Sequence, residues 1–251
     1  MSTLLDIQNV TVRFGGVTAV EDVSLSVGER ELLGFIGPNG AGKTTLMRVI
    51  TGMVRPQSGS VVFKGTDIRT WPIHKRIRGG LALAQQIVQP LRAFTLVENV
   101  VLAAGAAKTG NPMTALLSSA REDERAVALG LLERTGIAEA ADRYPEELPL
   151  GFLKRLEVSR ALALKPDLLL LDEPLAGLNQ AEAESLADLI AKLAADGQAI
   201  MLIEHNIREV TRICPTLYVQ DNGRALAHGP AEEVMADPAV RRAYLGLEEA
   251  C

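Results

Sequence analysis

A glycine-rich segment at residues 37–45 constrains the fold of this chain more than any other feature of its sequence. It follows the pattern G-x-x-x-x-G-K-[ST], with Lys43 and Thr44 at the fixed polar positions. A buried-strand pattern at 31–36 precedes it, and apolar residues at helical spacing follow it. A strand, a curled loop and a helix N-terminus together aim backbone N–H groups at phosphate oxygens. The segment therefore predicts a nucleotide-binding core.

Each residue type in this loop has a chemical reason to be there. Glycines let the backbone curl, the Lys43 ammonium reaches the β- and γ-phosphates, and the Thr44 hydroxyl binds Mg²⁺. A glycine-rich turn that binds nothing is disfavoured, because Lys and Thr stand in register and both flanks fit. The predicted nucleotide contacts are Gly37, Pro38, Asn39, Gly40, Ala41, Gly42, Lys43, Thr44 and Thr45.

A second pattern places two acids at the end of a buried strand. Four leucines, 168–171, run directly into Asp172 and Glu173. A run apolar at every residue is typical of a parallel strand covered on both faces, and ligands bind at the carboxyl ends of such strands. Asp172 suits a direct or water-mediated hold on Mg²⁺, and Glu173 suits a general base or a water-positioning group.

With these two motifs in place, the chain resembles the ATP-binding subunits of ABC transporters over essentially its whole length. Further matching residues fall in the family's order. They are Phe14, Gln86, the segment 148–157, the segment 176–179 and His205.

The resemblance implies roles for three of these side chains. Phe14 would stack on adenine, Gln86 would sense Mg²⁺, the attacking water and the membrane partner, and His205 would be the switch histidine. Each residue also has a simpler interpretation when it is taken alone. Phe14 could pack within its strand, and His205 could be a partly buried residue at a strand end. Gln85 is an alternative to Gln86 as the family's glutamine.

The segment at the family's signature position departs from Leu-Ser-Gly-Gly-Gln. Leu148 and Gly151 match, and the resemblance implies that they contact the nucleotide bound by an opposing subunit. Pro149 offers neither a hydroxyl nor an N–H, while Leu150 and Phe152 replace a glycine and the glutamine. One composite site is therefore expected to be weaker. Asn179, in place of the usual aspartate, is a smaller departure.

Composition narrows the class of protein. The chain has 251 residues and a formal charge of −5, with no basic stripe, so nucleic acid is not an expected partner. Two distant cysteines, Cys214 and Cys251, fit a reduced cytosolic setting. No signal segment and no membrane-spanning run is found, so a transport channel is expected in other chains.

The layout predicts an α/β P-loop NTPase (RecA-like) core with an N-terminal antiparallel β subdomain and a helical subdomain. The ATP-binding domain is expected over 4–236, its helical subdomain over about 88–160, and a C-terminal tail over 237–251. An Ala/Gly/Ser-rich stretch, 103–120, suggests a loosely packed insertion. Asn222-Gly223 between two apolar runs predicts a hairpin. His74 and His228 are expected at the surface.

Within the family, several features resemble importers of branched-chain amino acids and related amides or urea. They are the segments 14–16, 148–152, 176–179, 203–206 and 242–246. The last of these also fits a helix that packs Val240 and Tyr244 onto the core. The rivals are a lipopolysaccharide-export ATPase, a soluble ABC ATPase of nucleic-acid or translation machinery, and a small P-loop kinase.

The resemblance also implies cofactors and partners. ATP and Mg²⁺ are expected, with Thr44, Gln86 and Asp172 near the metal and with Lys43, Gln86, Glu173 and His205 in catalysis. Expected partners are transmembrane permease subunits, a second ATP-binding subunit (a heterodimer is favoured, a homodimer is possible) and, indirectly, a periplasmic or extracellular substrate-binding protein. The expected location is the cytoplasmic face of the cell membrane, as a peripheral subunit.

Overall fold

The computed structural model describes residues 2–109 and 121–245. The chain divides into two compact units, one formed by 1–76 with 190–251 and the other by 77–189. Each unit has its own strands and helices and is described by itself below.

The first unit contains an antiparallel sheet built from the predicted alternating segments. Its strands are β1 (Thr3–Phe14), β2 (Val17–Gly28), β4 (Ser58–Phe63) and β5 (Thr66–Asp67), in the order β2-β1-β4-β5. Leu5 and Ile7 on β1 are fully buried, as their alternation with polar residues requires. The predicted N-terminal antiparallel strands are confirmed.

The same unit holds three parallel strands. β3 (Leu32–Ile36) pairs on one side with β8 (Ala199–Ile203) and on the other with β9 (Thr216–Asp221). Every residue of β3 and β8 is buried, which explains their continuous apolar runs. β10 (Arg224–Pro230) pairs antiparallel with β9.

The turn between β9 and β10 is the predicted Asn222-Gly223 hairpin. Both residues have positive φ, 46° and 79°, as the favoured two-residue turn demands. The turn matters for the site because the Gly223 N–H donates to the phosphate loop, as described below.

The first unit's helices are α1 (Lys43–Thr51), α2 (Ile73–Arg78, which ends in the second unit), α7 (Ile207–Ile213), α8 (Ala231–Ala236) and α9 (Pro238–Leu245). α1 ends at Gly52, whose φ is 85°. On α9, Val240 is fully buried and the Tyr244 hydroxyl is enclosed, so the helix packs as the alternative interpretation of the tail requires. Gly246 and Cys251 lie outside the described residues. The other cysteine, Cys214, is buried, and burial raises the pKa of its thiol to about 12.

The second unit contains two parallel strands, β6 (Leu81–Ala84) and β7 (Leu168–Asp172), paired from Leu81 opposite Leu168. Its helices are α3 (Leu96–Thr109), α4 (Arg121–Arg134), α5 (Leu150–Ala163) and the start of α6 (Gln180–Ala195). Short 3-10 turns lie at Ala138–Ala140 and Pro145–Glu147.

The helices α3, α4 and α5 share one apolar core. Leu96, Val100, Leu132 and Leu156 are all fully buried in it. The apolar face of α4 packs into this core, since Ala128 and Leu132 are completely buried. Of the Ala/Gly/Ser-rich stretch, 103–109 continues α3, whereas 110–120 lies outside the described residues.

Within residues 2–109 and 121–245, no helix combines the length and the apolar character needed to cross a bilayer.

Candidate nucleotide site

The phosphate loop begins at Gly37, at the carboxyl end of β3, and runs into α1. Gly42 is the residue just before α1. Its φ of 98° is a left-handed conformation that is unfavourable for any residue with a side chain. A Cβ on Gly42 would collide with the Ala19 carbonyl, and a Cβ on Gly37 with the Gln220 carbonyl. Both positions therefore require glycine, for space as well as for backbone conformation at Gly42.

The hairpin β9–β10 holds this loop through the carbonyl oxygen of Ala41. That oxygen accepts a 2.7 Å hydrogen bond from the Gln220 side-chain amide and a 3.0 Å bond from the Gly223 N–H. The Gly223 carbonyl in turn accepts from the N–H of Glu21 on β2, at 2.7 Å. The hairpin, itself bonded to β2, thus supports the loop independently of any ligand, a form of preorganisation that lowers the cost of binding. Sequence reasoning did not find this role of Gln220.

Lys43 lies across the loop. Its ammonium donates to the carbonyls of Gly37, at 2.6 Å, and Pro38, at 2.9 Å, and the residue is only 6% exposed. Thr44, the next residue, is exposed. The cation is thus held among backbone dipoles where a triphosphate would offer it stronger, charged acceptors.

Phe14 lies at the end of β1, and its side chain is 50% exposed. The packing of Phe14 into the strand core, considered from the sequence, is therefore wrong. The turn that follows it, Gly15-Gly16, has open space around both residues. A half-exposed aromatic ring beside an open turn has a free face on which a base can stack.

His205 is the second residue after β8, and its side chain is 56% exposed. The carboxylate of Glu204, which is fully buried, accepts from the His205 backbone N–H at 3.1 Å. Asn206 caps α7 by accepting a hydrogen bond from the Glu209 N–H. His74 and His228 are exposed, as expected.

In the second unit, Asp172 and Glu173 lie at the carboxyl end of β7, where the sequence predicted them. Glu173 has φ of 48°, a left-handed conformation that costs a side-chain-bearing residue on the order of 1 kcal/mol. Such strain clusters at functional sites. The side-chain amide of Gln86, which follows β6, donates to the Glu173 carboxylate. The structure thus brings Gln86 and Glu173 together.

Lys154 on α5 contacts the same two residues through their backbones. Its ammonium donates to the carbonyl of Gln86 at 2.7 Å and to that of Glu173 at 3.2 Å. Lys154 is 4% exposed. Sequence reasoning places Lys154 only within the segment 148–157 and misses this contact.

The signature segment begins α5. Pro149 is the residue before the helix, and no side chain caps that terminus within the described part of the chain. Leu148 and Phe152 pack against the apolar core of α3, α4 and α5. Phe152 therefore has a structural role at the position where the family has a glutamine.

Gly151 lies against the Glu182 side chain, whose carboxylate oxygen would be 3.3 Å from a Cβ at that position. Glu182 also accepts from the Asn179 N–H at 3.1 Å, while the Asn179 side chain accepts from the Glu182 N–H at 3.0 Å. This reciprocal pair is a capping box at the start of α6. Asn179 therefore serves as the N-cap of α6 at the position where the family usually has an aspartate.

A model of the ABC transporter family matches residues 20–176. The chain belongs to the ABC transporter family. A second model, of the branched-chain amino acid ATP-binding cassette transporter, matches residues 226–250 of this ABC ATPase. The predicted family is confirmed, and the small P-loop kinase is excluded.

Relatives match this ABC ATPase almost from end to end. It is 37% identical over 249 residues to the high-affinity branched-chain amino acid transport ATP-binding proteins LivG of Salmonella typhimurium and BraF of Pseudomonas aeruginosa, covering 97% of this chain and 98% of each relative. The lipopolysaccharide export ATP-binding protein LptB of Haemophilus influenzae is 33% identical over 244 residues, with coverage of 97% and 98%.

Solved structures agree with the fold. The ADP conformation of MJ1267, an ATP-binding cassette of an ABC transporter, has a TM-score of 0.86 and 31% identity, covering 98% of this chain and 100% of that chain. A nucleotide-free ATP-binding cassette from an ABC transporter has a TM-score of 0.85 and 31% identity, with coverage of 97% and 99%. The predicted α/β P-loop class is confirmed. This ABC ATPase is an ATP-hydrolysing subunit of a transporter complex with membrane components.

Proposed function

We propose that this ABC ATPase energises uptake of branched-chain amino acids or related small amides and carboxylates through separate membrane subunits. The observation that carries the proposal is the match of residues 226–250 to the branched-chain amino acid transporter model. Residues 226–250 lie outside the segment matched by the general ABC transporter model, so their match distinguishes a subfamily. Residues 4–236 would be the ATP-binding domain, with 88–160 its helical part and 237–251 its tail.

In this proposal the first unit binds the nucleotide. The loop 37–45 wraps the phosphates with N–H groups, Lys43 neutralises the β- and γ-phosphates, and Phe14 stacks on adenine. The preformed support of the Ala41 carbonyl favours this role, because a loop held in shape pays little entropy on binding.

The metal site proposed is oxygen-based. Mg²⁺ prefers hydroxyl, carboxylate and carbonyl oxygens, and Thr44, Asp172 and Gln86 offer that donor set. Thr44 is exposed and Asp172 is partly exposed, so the surface of each residue is accessible to solvent. When bound, the ion would neutralise charge on the transferring phosphoryl group.

Glu173 would accept the proton of the attacking water, and His205 would position that water and the γ-phosphate. The hydrogen bond from Gln86 to Glu173 supports this assignment, because it ties the base to a loop that can respond to metal and partner. Lys43 and the α1 N-terminus stabilise the transition-state charge.

The proposed complex contains two ATPase subunits, permease subunits and an external substrate-binding protein, with this chain on the cytoplasmic face. ATP bound to one subunit would meet Leu148 and Gly151 of the other, and closure would drive the membrane subunits. Because Pro149 weakens the signature, we propose a different ATPase subunit as partner. A Glu-to-Gln change in each subunit in turn tests this: equal losses of turnover would contradict unequal sites.

The test of the transport proposal is reconstitution of the ATPase with its co-purifying membrane subunits and binding protein in liposomes. Leucine, isoleucine or valine on the binding-protein side should stimulate ATP hydrolysis and accumulate on the other side. Stimulation by lipopolysaccharide instead would favour the export role of relatives such as LptB. Failure of every branched-chain amino acid and small amide to stimulate would contradict the importer assignment.

A further inference from the structure

Three chain segments of the second unit meet at the ammonium of Lys154. They are the segment after β6, which carries Gln86, the end of β7, which carries Glu173, and the helix α5. Lys154 is almost completely enclosed. A buried cation is costly unless its donors are paired, so the two carbonyl contacts have a large influence on where the three segments lie.

The contact to Glu173 falls on a strained backbone. Glu173 holds a left-handed φ of 48°, which persists only where the surroundings enforce it. The Lys154 ammonium is bonded to the carbonyl of this residue, at 3.2 Å, and is one of those surroundings. The Glu173 carboxylate also accepts from the Gln86 side chain. Gln86 and Glu173 are therefore joined twice, once directly and once through Lys154.

We propose that Lys154 is a positioning residue that sets the Glu173 carboxylate relative to the Gln86 loop. Because one ammonium holds both carbonyls, a displacement of α5 or of the Gln86 loop changes the place of the base. The start of α5 is the signature segment, so the state of that segment is passed to the catalytic carboxylate through a single side chain. This inference deepens the proposed roles of Gln86 and Glu173 and rests on them.

Lysine suits this role because its three N–H donors diverge from a flexible stem and can serve two carbonyls at once. Methionine has a similar length and fills the pocket without donors. Glutamine keeps an amide donor but is shorter. Comparing Lys154→Met with Lys154→Gln therefore separates the effect of losing the hydrogen bonds from the effect of changing the side-chain volume.

The experiment measures kcat by phosphate release and the Kd for ATP on the full chain for wild type, Lys154→Met, Gln86→Ala and the double variant. Lys154→Met should lower kcat roughly 10- to 100-fold, the range for a misplaced catalytic group, while the Kd changes less than about twofold. The double variant should lose little more than the more damaged single variant, because each change breaks one of the two connections that hold the same Glu173 carboxylate in place.

Lys192→Met is the matched control, since Lys192 is an exposed lysine near the end of α6; its kcat should equal that of wild type. Lys154→Gln is measured in parallel, and its kcat should lie between those of wild type and Lys154→Met. If Lys154→Met folds poorly, the kcat of Lys154→Gln can still be compared with that of wild type.

A kcat for Lys154→Met and Lys154→Gln within twofold of wild type would overturn the proposal, as would losses that multiply in the double variant. A melting temperature that falls in step with kcat and a Kd that rises with it would assign Lys154 to folding alone. Absence of turnover in the wild-type protein would contradict the proposed function, whereas an active wild type with an equally active Lys154→Met overturns only this role.

Discussion

The side-chain amide of Gln220, near the end of β9, donates a 2.7 Å hydrogen bond to the carbonyl oxygen of Ala41 in the phosphate loop. Gln220 is fully buried, and within the described residues its other side-chain atom, Oε1, has no hydrogen-bond partner. A polar residue in a buried strand thus supports the nucleotide site and leaves one acceptor unpaired.

This arrangement predicts that one substitution can preserve stability and still weaken ATP binding. Gln220→Leu removes the unpaired acceptor, whose burial costs about 1–3 kcal/mol of stability. It also removes one hydrogen bond that contributes about 0.5–1.5 kcal/mol. The melting temperature should therefore hold or rise, while loss of support for the loop should raise the Kd for ATP by about 2- to 12-fold. Thermal melts and nucleotide titration measure both quantities.

Gln8→Leu is the control for Gln220, because Gln8 is an exposed residue of β1. Its Kd should equal that of wild type. A Gln220→Leu protein that melts lower and binds ATP as well as wild type would show that the amide serves the strand core and not the loop.

Arg76 closes the other end of α1. Its guanidinium donates to the carbonyls of Val49 at 2.6 Å and Ile50 at 2.7 Å, and Arg76 is 2% exposed. Arg76→Met would leave the Ile50 carbonyl without this donor, whereas the Val49 carbonyl keeps a hydrogen bond from the Gly52 N–H at 3.2 Å. The free energy of unfolding should fall by roughly 1–3 kcal/mol, the cost of an unsatisfied buried acceptor. Urea unfolding measures the loss.

Arg55 is the comparison for Arg76, because it is an exposed arginine in the same unit. Arg55→Met should change the free energy of unfolding by less than about 0.5 kcal/mol. If Arg76→Met were equally harmless, water would be satisfying the end of α1 and the guanidinium would be dispensable.

Phe14→Ala tests base stacking. The substitution should weaken ATP binding by about 1–3 kcal/mol, and GTP binding by a similar amount, because stacking tolerates any base. Stability should hardly change, since half of the ring is exposed. Ile73→Ala, a similarly exposed apolar residue on α2, should leave the Kd unaltered. Unchanged affinity in Phe14→Ala would remove the ring from the site.

The strands and the phosphate loop could be predicted because their signals are local. Four consecutive leucines at 168–171 are apolar on both faces, and such a pattern fits a covered parallel strand. The hairpin at Asn222-Gly223 followed from the backbone conformation that these two residues accept readily.

The partners of buried polar side chains could not be predicted in this way. Gln220 and Ala41 are 179 residues apart, and Lys154 meets Gln86 across 68. A lone lysine or glutamine carries no periodicity that indicates its acceptor. Phe152 shows the same limit: its departure from the family pattern predicts a weaker composite site, whereas its side chain packs on the helical core.

Phosphate release by Glu173→Gln, measured beside wild type and Lys43→Ala, tests the account's central claim most directly. Lys43→Ala should abolish turnover and weaken ATP binding, because the triphosphate loses its main cation. Glu173→Gln should keep ATP binding, slow hydrolysis by roughly 10²–10⁴ and accumulate as an ATP-stabilised dimer in size-exclusion chromatography. A loss of hydrolysis below about fivefold in Glu173→Gln would contradict the assignment of Glu173 as the base.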